Sequence, residues 1–134
     1  MTLINWIVTL SNLSACRLLY STWNTKVSPL VILVVLASTL MHASETKHSL
    51  PGICLVKHSN HLLWFDRIMA VTSGGYVAYL VFNNPRLIFK DHLLEKAVIG
   101  LLLNGVSELT NGMTFAITHS LWHALAFEVL RIAM

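Results

Sequence analysis

Five apolar stretches, each bounded by polar or turn-forming residues, constrain this chain more than any other feature. They cover residues 2–22, 29–44, 61–83, 92–109 and 113–132. A helix needs about 20 largely apolar residues to cross a hydrocarbon core of about 30 Å, and each stretch is near that length, the second and fourth at its short end. Only 11% of the residues are charged, against about 25% in an ordinary soluble domain, and the mean hydropathy is +0.67. The expectation is an all-α, polytopic transmembrane bundle of about five helices in a single domain, residues 1–134, localised as a multi-pass integral membrane protein. A removable signal peptide is not expected, because no basic residue precedes the first apolar run.

Turn chemistry marks the boundaries. Ser28-Pro29 reads as an N-cap followed by the first helical position, where proline's missing N–H costs nothing. Pro51-Gly52 lies in a polar segment, residues 45–60, that reads as a water-facing loop. Asn84-Pro85 ends the third helix, since the residue before proline is pushed out of the α region. Asn111-Gly112 leaves a tight turn between the last two helices. Gly74-Gly75 reads as a close helix contact. Cys16 and Cys54 form no disulfide framework and no zinc knuckle. The nine basic residues are scattered singly, which argues against nucleic acid as a partner. With five crossings, six of them (Arg17, Lys26, Arg86, Lys90, Lys96, Arg131) fall on one side. That bias makes this side cytoplasmic, with the N-terminus non-cytoplasmic and the C-terminus cytoplasmic.

Within the apolar stretches sit a few polar residues that need a reason. Ser38 and His42 are four apart, as are His119 and His123, so each pair shares one helix face. With five crossings His42, Asp66 and His119 fall near the same end of the bundle. Three imidazoles converging from two helices suit zinc with an open position. On this reading His42, His119 and His123 are metal ligands. Asp66 moves the water's proton or orients a ligand, and Ser38 hydrogen-bonds the water or the developing oxyanion. Glu45, three residues after His42, is a further candidate ligand or base, ranked below Asp66, and Glu108 a further charge partner. His48, His58 and His61 read as solvated, and His92 as flanking the fourth helix. Read blandly, an isolated HxxxH among seven histidines is a weak motif, Ser38 packs helices, and Asp66 pairs with Arg67 or Lys57.

The set Ser38-Thr-Leu-Met-His42, Trp64-Phe65-Asp66-Arg67 and Thr118-His119-Ser120-Leu121-Trp122-His123 resembles the SxxxH, D and HxxxH signature of the CREST superfamily. That group contains alkaline ceramidases, progestin and adipoQ receptors, and phospholipases that remodel GPI lipids. The resemblance covers the second, third and fifth stretches, and the family has seven crossings where five are read here. It implies a zinc-dependent hydrolase cleaving an amide or ester bond of a membrane lipid, with His42, His119 and His123 on zinc and Ser38 and Asp66 beside them. Two other readings stay open: a non-enzymatic membrane adaptor or receptor-like relic, and a haem carrier using two histidines as axial ligands.

Overall fold

The computed structural model describes residues 2–134, and these are helical nearly throughout. The first rod is α1 (Thr2–Ser11), a 3₁₀ turn (Asn12–Ala15) and α2 (Cys16–Thr22). Ser11, Ala15 and Cys16 keep right-handed helical torsions across the joints. The tightening has a local cause. Ser11 Oγ donates to the Val8 carbonyl at 2.6 Å, Asn12 Nδ2 to Thr9 at 3.2 Å and Ser14 Oγ to Ser11 at 2.7 Å. Side chains that bond the carbonyl three residues back compete with the regular ladder.

Then follow α3 (Ser28–Ser44), α4 (Ser59–Asn83), a 3₁₀ stretch (Pro85–His92), α5 (Leu93–Glu108) and α6 (Gly112–Ala133). The all-helical expectation holds, and so does the count of five rods, with ends shifted by one or two residues. Pro29 falls in the first turn of α3 as expected, but Ser28 is itself helical and no side chain caps that end.

The transmembrane expectation does not hold. Among the described residues, no helix is long and apolar enough to cross a membrane. The first stretch is divided into helices of 10 and 7 residues. Helix α3 has 17 residues and α5 has 16, about 26 and 24 Å at about 1.5 Å per residue. The two longer rods are interrupted by polarity: α4 carries Asn60, His61, Asp66, Arg67, Thr72 and Ser73, and α6 carries His119, His123, Glu128 and Arg131. The multi-pass architecture, its orientation and the integral-membrane localisation are corrected together with it.

Helix α6 is the hub, packing on α1, α2, α4 and α5, while α3 pairs with α4. Along α6 two apolar clusters bracket a polar middle. Phe115 and Ala116 join Val8 and Leu50 on one side, and Phe127 and Leu130 join Ala15, Leu18, Val31, Val34, Ala37 and Met69 on the other. Gly74 and Gly75 are exposed, with open space where a Cβ would stand, so the expected close contact is absent there. Gly100 makes one instead, its missing Cβ lying 3.2 Å from the Trp122 ring. Helices α4 and α5 do not pack against each other among the described residues. Large apolar side chains including Leu13, Trp64, Val71 and Leu102 remain on the outer faces.

Residues 45–58 are not a free loop. Ile53 N–H donates to the Ala43 carbonyl at 2.7 Å, Gly112 N–H to His48 at 3.2 Å, and Gly52 N–H to Asn5 Oδ1 at 3.2 Å. Asn5 Nδ2 returns a bond to the Glu45 carbonyl at 3.1 Å. Gly52 has φ of +73°, and a Cβ there would lie 2.6 Å from a Val56 methyl. Only glycine suits that backbone without strain. The segment thus closes over the ends of α3 and α6, where the polar set lies.

Candidate metal centre

The last turn of α3 carries His42, and α6 carries His119 and His123 one turn apart. All three are buried, at 1%, 6% and 4% exposure. His42 Nε2 lies 3.1 Å from His119 Nε2 and 3.2 Å from His123 Nε2. One ligand atom from each ring lies within 4.8 Å of the others, so the three histidines are close enough to hold one metal ion. Bonds of about 2.05 Å in a tetrahedron set neighbouring nitrogens about 3.3 Å apart. The two shortest separations match that edge. The rings meet edge to face, with centroids 4.7 to 4.8 Å apart, which turns their edges toward a common point.

The outward nitrogens explain why these edges point inward. His42 Nδ1 is 2.8 Å from Glu45 Oε2, His119 Nδ1 is 3.0 Å from Ser107 Oγ, and His123 Nδ1 is 2.6 Å from Ser11 Oγ. Each serine hydroxyl proton is already committed, Ser107 donating to the Asn104 carbonyl at 2.7 Å and Ser11 to Val8 at 2.6 Å. The serines can therefore only accept, which places a proton on Nδ1 of His119 and His123. An ionised Glu45 does the same for His42. All three Nε2 lone pairs then face one another with no ring proton between them, and only the Ser38 hydroxyl, 3.3 Å from His123 Nε2, can donate to one of them. A cation relieves that repulsion, and imidazoles held through the far nitrogen are the usual outer support of a metal site.

Electrostatics points the same way. Burial lowers the pKa of His42 to about 3, helped by the charge of His48 and opposed by Glu108. Burial, then His42 and His48, lower His119 to about 2. His123 is lowered well below its usual range by burial, then by His42 and His119. All three are neutral at pH 7 and available as ligands. Burial raises Glu45 to about 7, with His48 opposing, Glu108 adding and Lys47 opposing.

Ser38 lies where expected, buried one turn before His42, with Oγ 3.3 Å from His123 Nε2. Asp66, half-buried on α4, lines the same cavity as Ser38, His119 and His123. Its carboxyl makes no hydrogen bond or ion pair among the described residues, so neither Arg67 nor Lys57 claims it. Burial raises Asp66 to about 6, Glu45 adding and Arg67 opposing. The cavity, about 320 Å³, opens between α4 and α5, with Ala70, Val77, Leu101 and Phe127 among its apolar walls.

Three parts of the site escape a reading of the sequence. Ser11 and Ser107 belong to no motif and lie 112 and 12 residues from the rings they hold. Their only signal is a hydroxyl on an apolar helix, which is common. His48 is not solvated: Nδ1 donates to the Thr110 carbonyl at 2.7 Å, the ring stacks on Phe115 at 4.1 Å, and Nε2 is 4.0 Å from Glu45 Oε1. His58 and His61 are exposed, as is Glu108. His92, also exposed, pairs with Glu95 at 3.1 Å beside the start of α5. Comparison with protein-family models, with curated proteins and with solved structures finds no match.

Proposed function

We propose that this chain is a zinc-dependent hydrolase of lipid acyl amides or esters, built on His42, His119 and His123. One observation carries the reading: three buried imidazoles, each held through Nδ1, direct unprotonated Nε2 atoms at a common point beside an apolar cavity. The resemblance to the CREST signature supports it, because four residues of that motif, Ser38, Asp66, His119 and His123, line the cavity and the fifth, His42, completes the histidine cluster. Spacings of 3.1 and 3.2 Å favour a compact ion over a haem, whose macrocycle would have to lie between its two axial imidazoles. Zinc bound by three histidines lowers the pKa of water toward neutrality and polarises a carbonyl.

The chain's own residues supply the rest. Ser38 Oγ has no carbonyl partner and its one hydrogen-bond partner is His123 Nε2, so with that lone pair on a metal its hydroxyl would be free to donate to an oxyanion forming at the cavity's inner end. Asp66 faces that cavity unpaired, with its carboxyl raised to about 6. A group near that value accepts a proton from water and returns it to a leaving amine or alkoxide at neutral pH. The apolar walls between α4 and α5 exclude water from the acyl chain.

Purified chain loaded with zinc should hydrolyse medium-chain p-nitrophenyl esters or N-acyl amides. Asp66→Asn should lower turnover about 10²- to 10⁴-fold, the usual worth of a proton-transfer group, with zinc retained. One zinc per chain with no turnover across both substrate series would overturn the hydrolase reading.

A further inference from the structure

The cavity has two poles. His119 and His123 of the triad line its inner end, and Lys96 of α5 lines it toward Val129 and Leu130 of α6. Lys96 Nζ is 3.6 Å from Glu128 Oε1, with both side chains partly shielded. That carboxylate is already taken. Arg131 clasps it with Nε 2.7 Å from Oε2 and a terminal nitrogen 2.7 Å from Oε1. Arg17 adds a third positive charge near Glu128, and Asp91 acts on Arg131. Of the three cations acting on Glu128, Lys96 alone lines the cavity, and it shares with Arg131 the one carboxylate it touches.

An ammonium at the rim of an apolar cavity is best accompanied by an anion, and the wall between the poles asks for a chain. Glu128 follows His123 by five residues, so the poles are separated by about 8 Å of helix rise. We propose that Lys96 is the anion subsite of this cavity, selecting an acyl compound that bears a negatively charged group at the end remote from the scissile bond. The inference rests on the reading of the cavity as the acyl pocket of the metal centre. It adds that neutral acyl chains are the poorer ligands.

Decanoate and decanamide serve as probes, with affinity measured by calorimetry on the full chain and zinc content determined on every sample. Wild type should bind decanoate at least tenfold more tightly than decanamide. Lys96→Met, which keeps the apolar stem, should remove that difference while leaving decanamide unchanged, and Lys96→Arg should restore it. Equal binding of the two probes by wild type would overturn the proposal, as would a preference that survives Lys96→Met. So would a preference lost only in the His119→Ala/His123→Ala double variant, since the anion would then sit on the metal. Absence of zinc with the Lys96 dependence intact would count against the metal reading alone.

Discussion

Replacing Glu45 by glutamine separates a metal centre from a merely packed histidine cluster. Glu45 Oε2 is 2.8 Å from His42 Nδ1, and burial holds its carboxyl up at about 7. Below that pH the carboxylic acid donates to Nδ1, and His42 carries its own proton on Nε2. That proton points at His119 and His123, 3.1 and 3.2 Å away, and satisfies the triad without an ion. Above about 7 the carboxylate accepts from Nδ1–H and the Nε2 lone pair is bare. Zinc uptake therefore displaces one proton at low pH and none at high pH. Because a bound proton competes with the ion, affinity rises up to about tenfold per pH unit below neutrality and levels off above it. The histidines add no slope there, since their pKa values lie far lower. Glutamine can still accept from Nδ1–H but cannot ionise, and supporting groups of this kind are worth about 10- to 100-fold in metal affinity. Glu45→Gln should thus weaken zinc binding at pH 8 by about 1.4 to 2.7 kcal/mol and abolish the step between pH 6 and 8. Competition with a chromophoric chelator at pH 6, 7 and 8 measures both. A variant that binds as tightly as wild type and keeps the step would refute the reasoning.

Ser107→Ala and Ser11→Ala remove the acceptors that hold the Nδ1 protons of His119 and His123, so each should weaken zinc binding about tenfold or more; unchanged affinity in both would show that packing alone orients the rings. Metal-free protein should lose stability as pH falls below 6.5, because the unfolded chain takes up protons that the buried histidines refuse. Three such groups approach about 4 kcal/mol per pH unit. Glu45 and Asp66, whose folded pKa values are raised, each oppose this by up to about 1.4 kcal/mol per unit, between their ordinary values and about 7 and about 6 respectively. Urea midpoints that stay flat from pH 6.5 to 4.5 would contradict the neutral triad. Phe115→Ala should cost about 3 to 5 kcal/mol in urea denaturation, since that ring is 1% exposed and packs against His119 and His48; a loss under 1 kcal/mol would mean that its place is refilled.

Helix boundaries were readable because they rest on local chemistry: Pro29, Asn84-Pro85 and Asn111-Gly112 interrupt the chain within a residue or two of the observed ends. That His119 and His123 share one face was readable from their four-residue spacing, but their meeting with His42 was expected from five membrane crossings and from the family resemblance, and it depends on tertiary packing that spacing does not encode. The membrane reading failed because mean hydropathy sums over a stretch and ignores continuity. Asn12, Ser14 and Arg17 lie within residues 2–22, and three of the side chains there bond back to carbonyls and break the first rod. The folding of residues 45–58 over the site depends on Asn5, 47 residues from Gly52, and on His48 reaching Thr110, 62 residues away. Neither bond has a local signature. Asp66 lies in the cavity wall, and no hydrogen bond or ion pair among the described residues takes its carboxyl.

X-ray absorption at the zinc edge, with metal content measured on the same sample, tests the central claim most directly. One zinc per chain should be found with three imidazole nitrogens at about 2.0 to 2.1 Å and one oxygen ligand, and His119→Ala/His123→Ala should lose it. A chain that takes up no zinc, or that keeps the same nitrogen shell in the double variant, would contradict the account.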